Sequence, residues 1–387
     1  MPELSAVLDR HALFDPSGDF ESFLRSVPAK WVVYLLSDGE DRPVQLLCVK
    51  NLRASLKRRL GGNEHIGPSK RVNYRELVRH VRWCRVDSAF EADWLYFEVA
   101  RQLFPNTYQG MVGFRPAWFL HVNPESQFPR YIKTTDLTRA GLYIGPVEDK
   151  HAAARLIQLI EDAFDLCRYY NVLLGAPGGR PCAYKEMGRC PSPCDGAISM
   201  EQYRHLIHWS AKTLVDPADA IRQQKARMQQ AAAELRFESA GKIKAYVEQL
   251  SQIGKGAYRY ARWLKDFQFV SFQHGPKEGT AKVFVIAPGR IRQVACITRE
   301  PERSGETLHS ILNATADAPT AAHDIAGIER IGVVTHHVFS AKHSHGVFLR
   351  LEDTDDRAIA RAYRDLQKQS PQEETEGEGV VKELQAL

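Results

Sequence analysis

The sequence contains no stretch of 18 consecutive apolar residues, and its first residues, Met1 to Ser5, show no basic segment followed by an apolar one. The first absence argues against a membrane-spanning helix, and the second argues against a secretory signal peptide. We therefore expect a cytoplasmic protein, in which disulfides are rare because that compartment is reducing. Hydrophobic residues nevertheless make up 44% of the 387 residues, which is enough for the cores of two or three domains.

Short cysteine pairs of the Cys-x-x-Cys type, which are usual in structural zinc sites, are also absent. Four of the seven cysteines nevertheless lie close together in the sequence, at intervals of 15, 8 and 4 residues: Cys167, Cys182, Cys190 and Cys194. Thiolates gathered this closely in a reducing compartment usually hold a metal ion or an iron–sulfur cluster. The other three cysteines stand alone and are expected to be small core residues: Cys48, Cys84 and Cys296.

Positive charge is concentrated between residues 50 and 85. The whole chain has a net charge of +5, whereas this segment alone has eleven basic residues opposed by only Glu64 and Glu76. A compact basic module suits a phosphate backbone, where the release of counterions drives binding. The alternative is a solvated helical face. The candidate DNA contacts are Lys50, Arg53, Lys57, Arg58, Arg59, Lys70 and Arg71.

Hydrophobic patterning predicts an α/β protein of several domains. A small α/β module is indicated by strands at 31–36, 44–49 and 82–86 and helices at 52–60, 74–80 and 90–103. Strand-like pieces at 118–122 and 131–134 precede helices at 150–167 and 200–214 and a helical hairpin at 216–250. A C-terminal α+β module is indicated by strands at 267–272, 281–287, 291–297 and 345–351 and a helix at 355–369.

These elements suggest the following division of the chain. Residues 1–25 form an N-terminal lead-in, 26–110 the α/β module, 111–150 a connector, 151–214 a helical cysteine-cluster region, 215–252 the helical hairpin and 255–369 the α+β domain. Residues 370–387 carry many glutamates and few apolar side chains, so we expect a disordered acidic tail.

Several stretches, in this order, resemble the UvrC family, the C subunit of the bacterial UvrABC excinuclease. Val33-Tyr34, Lys50-Asn-Leu-Arg53 and Phe90-Glu-Ala92 look like its N-terminal GIY-YIG nuclease domain. Gly141-Leu-Tyr-Ile-Gly-Pro146, the cysteine run 180–194 and the UVR-like hairpin 228–250 follow. The resemblance covers residues 28–252. The strands at 267–297 only faintly resemble the family's RNase H-like domain, so we expect a short form that lacks this domain and the helix-hairpin-helix domain.

The resemblance implies a role in nucleotide excision repair. It also implies a 4Fe–4S cluster on the four cysteines, with zinc as the alternative, and binding of a UvrB-like partner through the UVR hairpin. The apolar hairpin residues that would contact this partner are Met228, Leu235, Phe237, Ile243 and Val247. The partners expected are therefore DNA and a UvrB-like protein, and no membrane.

The nuclease positions depart from the family pattern. The family uses two tyrosines, an arginine and a metal-binding glutamate, with Mg²⁺ or Mn²⁺ as the cation. Carried over position by position, these fall on Tyr34, Gln45, Ser55 and Tyr96. Gln45 cannot act as an anionic base, Ser55 has no charge, and Tyr96 is a poor magnesium ligand. Only a nearby carboxylate, Glu98 or Glu91, offers a substitute metal ligand.

Three functions therefore remain open at this point. The first is a UvrC-like protein that binds DNA and a partner while its nuclease chemistry is impaired. The second is an active structure-specific endonuclease that makes a single incision. The third is an iron–sulfur regulator whose DNA affinity responds to oxidation of the cluster.

A group of histidines near the C-terminus also invites interpretation as a metal site: His336, His337, His343 and His345. Their spacing matches neither a helical pair nor a tight turn. We therefore expect solvated histidines at a strand end.

Overall fold

The structure is a computed structural model that describes residues 8–61, 73–298, 305–316, 324–339 and 346–369. Within these residues the protein is mixed α/β, as the sequence predicts, and contains three antiparallel sheets of four strands each. Each sheet is built from a separate part of the chain and is packed against helices. None of the described helices is long and apolar enough to cross a membrane.

The N-terminal module has the strand order β1-β4-β2-β3. Its elements are β1 (Arg10–Leu13), α1 (Phe20–Ser26), β2 (Val32–Ser37), β3 (Pro43–Val49), α2 (Leu52–Leu60), α3 (Tyr74–Leu77), β4 (His80–Arg85), α4 (Ala89–Leu103) and α5 (Tyr108–Met111). The elements from β2 to α4 follow in the predicted order. The sequence does not predict β1, because this short edge strand is mostly exposed and lacks an alternating pattern.

Side-chain alternation in β2 gives the N-terminal sheet two distinct buried faces. Val33 and Leu35 belong to a core shared with α4, whereas Tyr34 and Leu36 belong to a core shared with α2. Helices therefore cover both sides of the sheet. This division decides which candidate site residues can meet.

Side-chain caps begin the two helices that cover this sheet. The Asn51 side chain accepts a hydrogen bond from Ala54 N at 3.0 Å, and Ser88 Oγ accepts one from Glu91 N at 3.2 Å. Such caps satisfy backbone N–H groups that have no partner within the helix. The first turns of α2 and α4 are thereby fixed relative to the strands before them.

The middle domain has the strand order β6-β5-β7-β8. Its elements are β5 (Trp118–Val122), β6 (Ile132–Thr134), β7 (Leu142–Val147), α6 (Lys150–Ala163), α7 (Tyr170–Leu173), α8 (Ala183–Glu186), α9 (Met200–Val215) and the late strand β8 (Arg262–Trp263). Residues 111–150 thus supply three strands of this domain instead of forming only a connector. Helix α6 ends before the predicted residue 167, and Asp165, with φ at 49°, follows it in a left-handed conformation.

The predicted helical hairpin is present as α10 (Ala218–Ala233) and α11 (Phe237–Leu250). Leu235, with φ at 58°, turns the chain between the two helices. Val247 and Leu250 are buried, and the ring of Tyr246 packs edge-on against Phe164 of the middle domain. The base of the hairpin is therefore anchored on the middle domain.

The C-terminal module has the strand order β11-β10-β9-β12. Its elements are β9 (Phe269–His274), β10 (Ala281–Ala287), β11 (Arg290–Ile297), α12 (Gly305–Ala316), α13 (Ile325–Phe339), β12 (Val347–Arg350) and α14 (Asp356–Gln367). Gly289, with φ at 76°, makes the predicted turn between β10 and β11. The four strands contain no aspartate or glutamate, so none of them carries a catalytic carboxylate.

Two expectations about single residues are wrong. His336 and His337 lie in α13, where His337 is buried, and not at a strand end. Cys296 is exposed on β11, whereas Cys48 and Cys84 are half-buried. His343, His345, Lys70, Arg71 and the predicted acidic tail lie outside the described residues.

Candidate functional site

The candidate catalytic positions fall on two opposite faces of the N-terminal sheet. Tyr34 faces α2, where its hydroxyl lies 2.8 Å from Ser55 Oγ. Gln45 pairs with Leu36 across β2 and β3 and shares that face. Tyr96 lies on the α4 side, where its hydroxyl donates to Leu46 O at 3.5 Å. The sheet therefore separates Tyr96 from Tyr34.

Neither tyrosine is placed to act as a base. Tyr34 is fully buried, and burial raises its pKa because the phenolate is poorly solvated there. Burial also raises the pKa of Tyr96 to about 12. Both side chains are therefore neutral phenols over the physiological pH range.

Arg59 supplies a cation on the α2 face that the position-by-position comparison missed. It lies one helical turn after Ser55, and its Nη1 donates to Gln45 Oε1 at 3.0 Å. The Arg59 guanidinium also interacts with Tyr34, although burial remains the larger influence on the pKa of that tyrosine. The i,i+4 spacing from Ser55 is the sequence signal that could have revealed this arrangement.

Both candidate substitute carboxylates are held by the C-terminal module. Glu98 accepts two hydrogen bonds from Arg330 of α13, from Nε at 2.6 Å and from Nη2 at 3.0 Å. Glu91 accepts from Lys282 Nζ of β10 at 2.6 Å, and the same ammonium lies 2.8 Å from Asp87 Oδ2. These carboxylates therefore form interdomain ion pairs on the face opposite Tyr34.

The same interface has an aromatic core around Phe90 of α4. The Phe90 ring packs edge-to-face with Phe284 and Phe348, with both centroids at 5.4 Å, and with His337 at 5.5 Å. His337 Nε2 lies 3.0 Å from Asp93 Oδ2. Helix α4 is thus buried between the N-terminal sheet and the C-terminal module.

Several residues of the predicted basic surface face solvent. Lys50, Lys57 and Arg58 are exposed at or near α2, and within the described residues neither Lys57 nor Arg58 forms an ion pair. Arg53 has a structural contact, since its Nη2 donates to Val27 O at 2.9 Å. Among the predicted DNA contacts, Lys57 and Arg58 are therefore both exposed and without an ion pair in the described part of the chain.

The structure links three of the four clustered cysteines in pairs. The neighbouring Cys167 thiol lowers the pKa of Cys190, whereas the Cys190 thiol and burial raise that of Cys167. Ser192 links the next two sulfurs, because its N–H donates to Cys190 Sγ at 3.4 Å and its hydroxyl lies 3.6 Å from Cys194 Sγ. Cys182 is half-buried, just before α8.

The loop that carries these cysteines is held by backbone contacts. Gly179 N donates to Cys194 O at 2.8 Å, and Cys167 N donates to the buried Tyr203 hydroxyl at 3.1 Å. Thiolates are suitable ligands for iron–sulfur clusters and for zinc. As placed, however, no three His, Cys, Asp or Glu side chains in the described part of the chain form a metal-binding group.

The five predicted partner-binding residues of the hairpin differ in exposure. Leu235 and Phe237, at the tip, are 73% and 66% exposed. Met228 and Ile243 are half-buried, and Val247 is buried. The tip is therefore the part of this stripe that is free to meet another protein.

Comparison with known proteins shows what this chain is similar to. Residues 117–212 match the family model described as UvrC/Cho excinuclease, middle domain. The chain is 24% identical over 277 residues to the UvrABC system protein C of Clostridium botulinum (strain 657 / Type Ba4), covering 70% of this chain and 44% of that protein. It is 26% identical to the Salinispora arenicola protein of the same name, and the match covers 69% of this chain and 41% of that protein. It is 23% identical to the Acetivibrio thermocellus protein of the same name, and the match covers 88% of this chain and 52% of that protein.

These matches confirm the resemblance to the UvrC family. The chain spans about half the length of the curated relatives that it matches. No solved structure matches it significantly.

Proposed function

We propose that this chain is a nucleotide-excision-repair protein of the UvrC type that binds DNA without incising it. The observation that carries this proposal is the separation of Tyr34 from Glu91 and Glu98 by the N-terminal sheet, with both carboxylates in ion pairs to the C-terminal module. In this proposal the GIY-YIG-like module is a DNA-binding and docking unit.

Metal-dependent cleavage of a phosphodiester needs a base, a cation and a metal-binding carboxylate around one phosphate. The α2 face offers the cation of Arg59, but its hydroxyls, those of Tyr34 and Ser55, are buried and bonded to each other. Releasing Glu98 for a metal would leave Arg330 unpaired at a half-buried position. The alternative, an active endonuclease, predicts magnesium-dependent nicking that Glu98→Ala removes, and our proposal predicts no nicking by either protein.

The cysteine loop is proposed to hold a 4Fe–4S cluster on Cys167, Cys182, Cys190 and Cys194, with zinc as the alternative. The interaction of Cys167 with Cys190, and the Ser192 bridge from Cys190 to Cys194, support a shared site. A bound cluster would cross-link the end of α6 to the loop before α9.

Cys190→Ser is expected to abolish the two signs of a bound iron–sulfur cluster, the brown colour of the protein and its absorbance at about 400 nm. Cys296→Ser, which removes an exposed cysteine on β11, is the matched control and should leave both unchanged. The measurement is the iron, sulfide and zinc content of anaerobically purified protein. Stoichiometric zinc without iron would favour the zinc alternative, and a metal-free wild type would contradict both.

The hairpin tip is proposed to bind a UvrB-like protein. Replacing Leu235 and Phe237 together with serine should weaken this complex by about tenfold to a hundredfold, because exposed anchors of this kind dominate interface energies. Fold stability should not change, since both side chains are exposed. Gln229→Ser, on the same hairpin, is the control for titration calorimetry. Unchanged affinity in the double variant would contradict this proposal.

A further inference from the structure

Tyrosine and arginine side chains contact one another beside the cysteine loop. The ring of Tyr169 lies 5.7 Å from that of Tyr184, and the Arg168 guanidinium lies 4.4 Å above Tyr184. Next to them, the Arg130 guanidinium lies 3.8 Å above the ring of Tyr170. We call these five residues the tyrosine–arginine surface. Neither the nuclease positions nor the cysteine ligands account for it.

The surface is ordered before any ligand arrives. Arg168 Nη1 donates to Arg189 O at 3.1 Å, its Nη2 bonds Asp162, and its side chain is only 13% exposed. Arg168 therefore holds the Tyr184 ring in place. A ligand that stacks here pays little for ordering the side chains.

The surface is also accessible. Tyr169 is 48% exposed, Arg130 is exposed, and the neighbouring Leu174 and Met187 are 47% and 66% exposed. An aromatic ring exposed to this extent contributes little to the core of the domain. Its exposed area is therefore available for stacking by a ligand.

The charge around the rings selects the kind of ligand. Between residues 167 and 190 the basic residues are Arg168, Arg180, Lys185 and Arg189, and Glu186 is the only acidic one. Part of this charge is neutralised, because Asp162 and Asp165 pair with Arg189, and Asp195 pairs with Lys185. Arg130 and Arg180 form no ion pair within the described residues, so they remain available for an anionic ligand.

From this combination we infer that the tyrosine–arginine surface binds unpaired bases of DNA. Bases stack on exposed aromatic rings and guanidinium planes, while nearby cations hold the backbone phosphates. Paired bases inside a duplex do not present their faces, so the surface should discriminate against intact duplex. This inference rests on the proposed DNA-binding function and deepens it by naming the form of DNA that is bound.

The test is fluorescence anisotropy of the full chain with a duplex, the same duplex with a bubble of about six unpaired nucleotides, and a single strand. Wild type is expected to prefer the bubble and the single strand. Tyr169→Ala should weaken both by about 5- to 150-fold, the equivalent of roughly 1–3 kcal/mol for one stacked base. Its duplex affinity should stay within about twofold, because α2 supplies that binding.

Two controls separate stacking from structural damage. Tyr169→Phe keeps the ring and should bind like wild type. Leu174→Ala removes a neighbouring exposed apolar side chain and should leave the DNA affinity unchanged.

If Tyr169→Ala does not fold, wild type with 2-aminopurine in the bubble provides the readout, since stacking of this base on a ring quenches its fluorescence. Quenching would support the inference, and unchanged fluorescence on binding would overturn it.

Equal affinity of wild type for duplex and bubble, or unchanged bubble binding by Tyr169→Ala, would overturn the inference and leave the proposed function standing. Absence of binding to all three DNAs would instead overturn the proposed function itself.

Discussion

Replacing Lys282 with methionine is expected to lower the free energy of unfolding by about 3–5 kcal/mol at neutral pH, because buried Glu91 loses its cation and Asp87 keeps only Arg85 as a partner. Lys282 Nζ lies 2.8 Å from Asp87 Oδ2 and 2.6 Å from Glu91 Oε1, and none of the three side chains is more than 12% exposed. Chemical denaturation measures the loss. Lys265→Met, at an exposed lysine shortly before β9, is the control and should be nearly neutral.

The loss in Lys282→Met should shrink as the pH falls. Burial raises the pKa of Glu91 above its ordinary value of 4.5 even beside Lys282, and removal of the ammonium should raise it further. A carboxyl with a raised pKa in the folded protein binds its proton more tightly there, so folding is favoured as the pH falls through that pKa. Stability of the variant should therefore recover between neutral pH and about pH 5.

A second variant tests whether the carboxylate left without a cation causes the loss of stability. Adding Glu91→Gln to Lys282→Met removes the carboxylate that the loss of Lys282 leaves without a cation, and should restore part of the stability at neutral pH. The account would be contradicted if Lys282→Met lost the same stability at neutral pH and at about pH 5, and if the double variant recovered none of it. The ion pairs would then not be what holds the C-terminal module on α4.

The double change Lys57→Glu and Arg58→Glu is expected to weaken duplex binding by about tenfold to a hundredfold at low salt. Both side chains are exposed on α2 and form no ion pair within the described residues. The slope of log affinity against log salt should fall by roughly two, one for each lost phosphate contact.

The matched control carries the same charge change elsewhere. Arg357→Glu and Arg361→Glu lie four residues apart on the exposed face of α14, outside the basic module. This variant should bind duplex within about threefold of wild type, since only long-range electrostatics change. An equal loss in both variants would indicate a response to total charge and not to a site on α2.

Local patterns predicted much of the fold. The hairpin of β2 and β3 follows from β-branched and aromatic runs around a turn, and the pair α10 and α11 follows from helical spacing. Helix α13 was not predicted, because it is buried along most of its length and mixes apolar, β-branched and histidine residues without a clear polar face. Gly332 within it is explained by packing alone, since a Cβ there would lie 2.9 Å from Arg115 O.

The candidate site was less accessible from the sequence. The closeness of Cys167, Cys190 and Cys194 could be expected from their spacing, whereas the fate of Glu98 could not, because its partner Arg330 lies 232 residues away. The position of Arg59 could not be predicted from the sequence for a different reason. A comparison made position by position finds only Ser55, although a cation one helical turn later reaches the same face.

The most direct test of the central claim is an incision assay on DNA that the protein demonstrably binds. Cluster-loaded protein would be incubated with supercoiled and bubble-containing DNA, with Mg²⁺ or Mn²⁺, with and without the UvrB-like partner, beside a full-length UvrC as positive control. We expect binding without nicking in every arm. Nicking that chelation of the metal abolishes, and that Tyr34→Phe also abolishes, would contradict the claim and establish an active nuclease.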